Sequence, residues 1–325
     1  MLVVRSTSWL LKTRTNPITL LRQRICAEAP QPTTAAFTVG NVREKWKARF
    51  QTENIPEADT SILNILAHVL RLPSPADVRK SQDVVLNETQ LVKVDELCEC
   101  RLARMPIQYI IREWEFRDLT LKMVPPVFIP RPETEELVEL ILQQIPQKPM
   151  NFLEIGCGSG AVALSILKHA PQASGIAIDQ SKLACELTLE NARSLGLSEN
   201  LRIFRHKVTD TLPEEIKERK FDMIVSNPPY VPSQQLLQLE PEIKVYEDMR
   251  ALDGGPDGLT VIKAILEIAG RHLNVEGILW LEVDSSHPPL IEQFLEDKGP
   301  TLGLKYVCSY KDLFRKERFV EVSKV

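Results

Sequence analysis

Residues 151–167 read NFLEIGCGSGAVALSIL. An apolar run ends in three closely spaced glycines, Gly156, Gly158 and Gly160, and an alanine- and leucine-rich run at helical spacing follows. The pattern is strand, turn, helix. Glycines at such a turn let backbone approach a ligand closely, and the first N–H groups of the helix point at it. The spacing is G-x-G-x-G, not the G-x-G-x-x-G of dinucleotide sites. No G-x-x-x-x-G-K-S/T loop occurs, which excludes a P-loop NTPase.

Downstream of this turn, short apolar runs alternate with helical ones. "NFLEIG", "ASGIAID", "LRIFRH", "FDMIVSN" and "GILWLEVD" read as strands. "AVALSILKHA", "SKLACELTLENARSLG" and "GLTVIKAILEIAGRHL" read as helices between them. Alternation of this kind predicts an α/β fold, a parallel sheet covered on both faces. The last stretch, "LKYVCSYKDLFRKERFVEVSKV", holds two β-like runs with no helix between them, which suits an antiparallel hairpin added to the sheet. Upstream, "RPETEELVELILQQI" opens a helix: Pro132 suits its first position, and Glu133, Glu135 and Glu136 sit where the helix dipole favours acids.

Asp179 ends the second strand, 19 residues after Gly160. A carboxylate there can accept hydrogen bonds from both hydroxyls of a ribose. The plainer reading of Asp179 is a cap for the helix that follows. Glu154 stands two residues before the first glycine, where a cationic amino group could be met, and the next helix lacks bases to hold a pyrophosphate. Both features favour S-adenosylmethionine over a nicotinamide dinucleotide.

"FDMIVSNPPYVP" closes the fourth strand. Ligands of a parallel sheet lie beyond the carboxyl ends of its strands, so Asn227, Pro228, Pro229 and Tyr230 are expected beside the glycine loop. Prolines carry no N–H but keep their carbonyls, and each restricts the residue before it. The tetrapeptide therefore offers Asn227 Oδ1 and the Pro228 carbonyl as fixed acceptors and Tyr230 as a flat wall. A planar N–H₂ group fits. Its nitrogen lone pair is delocalised, and holding both N–H bonds aims that nitrogen at an electrophilic methyl. A turn that merely ends the strand is the alternative.

The N-terminal third differs. "MLVVRSTSWLLKTRTNPITLLRQRICAEAP" carries five bases before its first acid, Glu28, with Trp9, Leu10, Leu11, Leu20 and Leu21 as an apolar side. That is the composition of a mitochondrial transit peptide over residues 1–30, although a basic tail for nucleic acid has a similar one. Without it the formal charge falls from -4 to about -8, which disfavours a grip on bare phosphates. Residues 38–117 read as a small helical domain. Val42, Trp46 and Phe50 recur four apart, Ile62, Leu63, Leu66, Val69 and Leu70 form a second stripe with Asp59 or Thr60 as its cap, and Leu91, Val94, Leu97 and Leu102 form a third. The six cysteines make no C-x-x-C pair and the five histidines do not cluster with them, so a structural zinc site is not expected.

Together "RMPIQYIIREWEFRDLTLK", "VFIPRPETEELVE", "EIGCGSGAVAL", "AIDQS", "SNPPYVP" and "EDMRALDGGPDGL" resemble the HemK/PrmC family of peptide-chain-release-factor glutamine N5-methyltransferases, over roughly residues 55–325. The tetrapeptide alone is shared with N6-adenine methyltransferases of DNA and RNA, the alternative activity. The combination with "PRPETE" and "PIQYI" is more specific. The resemblance implies a class I (Rossmann-like) methyltransferase domain over residues 118–325, with a seven-stranded, mostly parallel sheet behind the helical domain. It implies S-adenosylmethionine as cofactor and methyl transfer to the glutamine of a Gly-Gly-Gln loop. With the transit-like N-terminus it implies a mitochondrial release factor as partner and the matrix as location. Carried over by position, Gly156, Cys157, Gly158, Ser159 and Gly160 form the methionine-and-ribose loop, Asp179 is the ribose acid, and Asn227 to Tyr230 bind the amide. Ile111 stands where the family usually has glycine, and Lys207 where an acid often sits beside the adenine.

Overall fold

Val39, Val42, Trp46 and Phe50 are all buried, on one stripe of the first helix, α1 (Val39–Thr52). The computed structural model describes residues 37–145, 148–209 and 211–325, and the predicted transit segment lies outside them. Around this stripe pack α2 (Ala58–Leu70), α3 (Pro75–Val78), α4 (Glu88–Leu102) and α5 (Ile107–Ile111). Trp46 Nε1 donates to Asp95 at 2.8 Å and ties α1 to α4, whose N-terminus is closed by a reciprocal box between Asn87 and Gln90. The expected cap of α2 is not made. Glu57, at φ +52°, precedes the helix without a side-chain bond, and Asp59 is drawn instead to Arg43 at 2.6 Å and Arg79 at 3.2 Å.

Arg112, at φ +63°, turns the chain out of α5, so the left-handed position falls one residue after Ile111. The antiparallel hairpin β1 (Glu113–Phe116) and β2 (Leu119–Lys122) follows. The expected border between residues 117 and 118 therefore lies at the tip of one hairpin. Phe116, Leu119, Leu121 and Met123 are buried, as their near-alternation predicts.

The remaining elements are α6 (Pro132–Gln144), β3 (Met150–Ile155), α7 (Ala161–His169), β4 (Ala173–Asp179), α8 (Lys182–Ser194), β5 (Leu201–Arg205) and β6 (Phe221–Ser226). Then come α9 (Pro241–Tyr246), α10 (Thr260–His272), β7 (Leu273–Glu282), α11 (Pro288–Leu302), β8 (Leu304–Lys311) and β9 (Glu317–Lys324). Among the described residues they form a seven-stranded sheet in the order β5-β4-β3-β6-β7-β9-β8. β3, β4, β5, β6 and β7 are parallel, and β9 runs antiparallel to both of its neighbours. Neighbouring residues of one strand go to opposite cores: Phe152 packs on one face and Leu153 on the other. Both faces are covered, which is why the strands read as nearly continuous apolar runs. Of the elements around the sheet, α9 and α11 were not read from the sequence. α9 is six residues long, and α11 carries Pro288 and Pro289 at its start and Pro300 inside. Prolines at a helix start cost no hydrogen bond, because those N–H groups have no partner within the helix.

β3 is the first strand of the sheet, and the chain runs outward from it in both directions. Ile155 pairs with Ile178 on one side and Ser226 on the other. The loops leaving β3, β4 and β6 thus emerge side by side at the switch point of the sheet, where open α/β folds bind ligands.

Candidate active site

A cavity of about 460 Å³ opens at these three strand ends. Gly156, Gly158, Asp179, Asn227, Pro228, Pro229 and Tyr230 line it together. The glycine loop is held open by its backbone. Gly156, Gly158 and Gly160 have φ of +82°, +55° and +85°, a region that side-chain-bearing residues rarely occupy. The N–H groups of Gly156 and Cys157 donate to the Ile178 carbonyl at 2.8 and 3.2 Å, and Gly160 N–H closes the turn on the Cys157 carbonyl at 2.7 Å. A Cβ on Gly158 would meet no protein atom within 4 Å, so this stretch of cavity wall is bare backbone.

The other loop residues face away from the cavity lining. Cys157 is buried, its sulfur 3.4 Å from Thr188 Oγ1, whose proton goes to the Gly158 carbonyl at 3.0 Å. Ser159 is buried, and its carbonyl accepts from Asn191 Nδ2 at 2.9 Å. Gly160 lets α7 close onto α8: a Cβ there would stand 2.9 Å from the Thr188 methyl. Glu154 is buried beneath the loop and accepts from the Ala163 N–H of α7 at 3.1 Å. Burial holds its carboxyl well above the usual range. Glu154 therefore braces the first turn of α7 and does not line the cavity. Thr188 and Asn191, two buried polar residues of α8, were not singled out in the sequence, yet they clamp this loop. Polar side chains on the buried stripe of a predicted helix were the available signal.

Asp179 lines the cavity between two backbone donors, Gly158 N–H at 3.0 Å on one oxygen and Ser181 N–H at 2.8 Å on the other. Ser181, not Asp179, caps α8. Burial raises the Asp179 carboxyl, against the lowering effect of both N–H bonds. Each oxygen keeps acceptor capacity, since an ionised carboxylate has about four lone-pair sites. Lys207 and Val208 line the same cavity.

Asn227 does not stand alone at the end of β6. Its Nδ2 donates to Thr134 Oγ1 at 3.1 Å, and Thr134 donates in turn to Glu282 Oε2 at 2.8 Å. Thr134 belongs to "PRPETE" in α6, and Glu282 ends β7. Burial raises the Glu282 carboxyl to about 7 and the Tyr230 phenol to about 12. Ser226 Oγ fixes the approach by donating to the Ile155 carbonyl at 2.6 Å.

The chain after Tyr230 is cradled by "DGGPDG". Val231 N–H donates to the Leu252 carbonyl and Gly254 N–H to the Val231 carbonyl, both at 2.9 Å. A Cβ on Gly258 would stand 2.4 Å from the Tyr230 carbonyl oxygen, and one on Gly254 2.8 Å from the Tyr230 Cα. Only glycine permits that approach. Arg131, also in the lining, stacks on Phe128 with 4.6 Å to the ring centroid and pairs with the buried Glu247 at 2.7 Å. Leu239, before α9, and Ile243, within it, also line the cavity.

The residues present fit S-adenosylmethionine. A bare-backbone cradle at Gly156 and Gly158, the half-buried Asp179 carboxylate and an apolar lining that includes Val208 and Val261 share one cavity. Among the described residues no group of His, Cys, Asp and Glu could hold a metal ion.

The family model for the PrmC N-terminal domain matches residues 41–111, and that for the methyltransferase small domain matches residues 119–243. The chain is 42% identical over 305 residues to the human MTRF1L release factor glutamine methyltransferase, covering 90% of each. It is 35% identical over 242 residues to a release factor glutamine methyltransferase of Thermodesulfovibrio yellowstonii, covering 74% of this chain and 83% of that one. Among solved structures, a methyltransferase from Pyrococcus furiosus is 20% identical with a TM-score of 0.48, covering 69% of this chain and 98% of its own.

Proposed function

The chain belongs to the release factor glutamine methyltransferase family, and on that premise we propose how its residues carry the reaction. It methylates a release-factor glutamine from S-adenosylmethionine. The finer assignment is the side-chain nitrogen of the glutamine in a Gly-Gly-Gln loop, on a mitochondrial release factor. The observation that supports the site is the meeting of Gly156, Gly158, Asp179 and Asn227 to Tyr230 around one cavity.

The cofactor, when bound, supplies an electrophilic methyl on a sulfonium. Gly156 and Gly158 would hold its amino-acid portion with backbone, and Asp179 its ribose hydroxyls. Asn227 Oδ1 and the Pro228 carbonyl accept the two N–H bonds of the glutamine amide. Tyr230 walls the plane of that amide. With both N–H bonds held, the nitrogen cannot rotate away from the methyl, and its lone pair is freed from the carbonyl as attack begins. As the C–N bond forms the carbon–sulfur bonding pair stays with the leaving thioether, and one N–H proton passes from the nitrogen to water. Among the described residues the cavity lining contains no histidine or cysteine, so neither a covalent relay nor an imidazole base is assigned. Methyl transfer to a purified release factor tests the reading, with the loop glutamine changed to alanine as control. Methylation of that control at the wild-type level would reject it.

Residues 38–117 are assigned to docking the release factor. α4 supports this by reaching the cavity rim: Arg101 pairs with Glu242 of α9 at 3.1 Å, and Tyr246 Oη donates to the Ala103 carbonyl at 2.6 Å. The full chain should then methylate the intact factor with far higher kcat/KM than a short peptide carrying the loop. Equal values would remove the docking role. The basic, acid-free start supports mitochondrial targeting, with the matrix as destination. Residues 1–30 fused to a fluorescent reporter should carry it into mitochondria, and a cytosolic reporter would reject this.

A further inference from the structure

We infer that Thr134 and Glu282 are positioning residues for the methyl transfer: Glu282 orients the Thr134 hydroxyl, and Thr134 fixes which face of the Asn227 amide meets the substrate. The inference rests on the role of Asn227 proposed above and deepens it.

An asparagine side chain presents an acceptor and a donor of nearly equal shape. Only one orientation serves a glutamine amide, whose nitrogen carries two donors. Turned the other way, Asn227 would set its own N–H₂ against the substrate N–H₂. Nothing in the tetrapeptide itself decides between the two. The decision comes from two elements distant in sequence. A hydroxyl has one proton, and Thr134 gives its proton to Glu282 Oε2 at 2.8 Å. Its oxygen then has only lone pairs left for Asn227. Asn227 must meet them with Nδ2, which it does at 3.1 Å. Oδ1 is thereby left for the substrate.

The chain of bonds is sealed from water. Thr134 is 2% exposed and Glu282 1% exposed, so solvent cannot substitute for either partner. A buried carboxylate is costly to keep, and burial pushes this one upward. Around it, Arg318, the Thr134 hydroxyl and the Asn227 amide favour its ionised form, whereas Glu133 opposes it. The negative charge of Glu282 in turn raises the nearby Tyr230 phenol. An apolar residue would fill the end of β7 at less cost in burial. Ionised, above about pH 7, a carboxylate does what an apolar residue cannot: it accepts without donating, so the hydrogen-bond direction then runs one way from Asn227 to Glu282.

Thr134→Val removes the hydroxyl and keeps the shape, whereas Thr134→Ser restores it. Single-turnover methylation of the release factor at pH 8, where Glu282 is ionised, should slow about 10-fold in Thr134→Val, short of the roughly 10²–10³-fold loss expected for removing a reacting-site partner outright. Thr134→Ser should stay near wild type, and cofactor Kd should stay within about 2-fold in both, the split a positioning role requires. Glu282→Gln guards against a folding artefact. It relieves a buried charge, so it should unfold no more easily than wild type. Its amide can donate to Thr134 as well as accept, so its single-turnover rate should still fall. A wild-type rate in Thr134→Val or in Glu282→Gln would overturn the inference, as would Thr134→Ser being as slow as Thr134→Val. If Asn227→Ala also keeps the wild-type rate, the reading of Asn227 itself falls. If Asn227→Ala is slow and Thr134→Val is not, only the relay falls.

Discussion

Arg101 of α4 and Glu242 of α9, 141 residues apart in sequence, form an ion pair at 3.1 Å that fastens the helical region to the rim of the cavity. Arg101 is almost fully buried and also donates to Ser61 Oγ at 3.2 Å and to the Pro56 carbonyl at 3.2 Å. Its guanidinium thus gathers α2, α4 and α9 at one point. Removing one partner of a buried pair strands the other charge, which typically costs about 3–5 kcal/mol. Arg101→Met is expected to lower unfolding free energy by about 3 kcal/mol, at the low end because Arg104 still lies 3.5 Å from Glu242. Urea unfolding checks this, and adding Glu242→Gln should recover part of the loss.

Asp179 is predicted to be the main polar anchor of the cofactor. Asp179→Ala should weaken S-adenosylmethionine binding by about 1.5–3 kcal/mol, the scale of hydrogen bonds to a charged group. The loss includes some loosening of the glycine loop, because Gly158 N–H also bonds this carboxylate. Calorimetry measures the change. Unchanged affinity would remove Asp179 from the site.

Asn227→Ala should cut kcat by roughly 10²–10³, by analogy with lost donors in oxyanion holes. Asn227→Asp is expected to act differently. An ionised aspartate accepts hydrogen bonds but adds negative charge beside a sulfonium, stabilising the charged ground state more than a transition state in which that charge is dispersing. The variant should bind cofactor as well as wild type or better and still turn over slowly. Rapid single turnover with tight binding would contradict this.

Gly258→Ala should disturb the cavity wall at Tyr230 from behind. The new Cβ would lie 2.4 Å from the Tyr230 carbonyl oxygen and 2.8 Å from the His287 ring, at a backbone φ of +76°. Overpacking and a left-handed alanine each cost about 1–3 kcal/mol. A fall in melting temperature together with reduced kcat is expected. A variant with wild-type stability would mean that the "DGGPDG" cradle yields more easily than its contacts indicate.

Glu282 makes stability depend on pH. Its carboxyl lies at about 7 in the folded chain, raised by burial from an ordinary 4.5. Between these values the folded chain keeps a proton that the unfolded chain has lost, so stability falls as pH rises through this window and levels off above it. The group contributes a loss on the order of 3 kcal/mol across the window. Glu282→Gln should remove that slope and unfold at higher urea than wild type at pH 8. Parallel slopes for the two proteins would place the Glu282 carboxyl back in the ordinary range.

The strands, the glycine turn and every helix on the sheet but α9 and the proline-bearing α11 were legible because each depends on spacing within one short segment. A period of two or of 3.6 residues, a Gly at a strand end and a Pro at a helix start act locally, whatever the rest of the chain does. Asn227 to Tyr230 could be placed at the mouth for the same reason: a parallel strand carries its loop to a known end of the sheet. The resemblance to a family added the substrate.

Tertiary structure alone decided which polar residues face the cavity and which brace the glycine loop beside it. Glu154, two residues from a glycine that lines the cavity, turned inward to the Ala163 N–H of α7, because the glycine loop lies over it and an unpaired N–H there would be costly. Asp59 left its helix end for arginines on α1 and near α3. Thr134, Asn227 and Glu282 belong to three segments with no common pattern, and only the packing of α6 and β7 beside β6 brings them to within 3.1 Å of one another in sequence of contact. Hydrogen-bond direction depends on who the partner is, and a partner 93 or 148 residues away has no signature in local sequence.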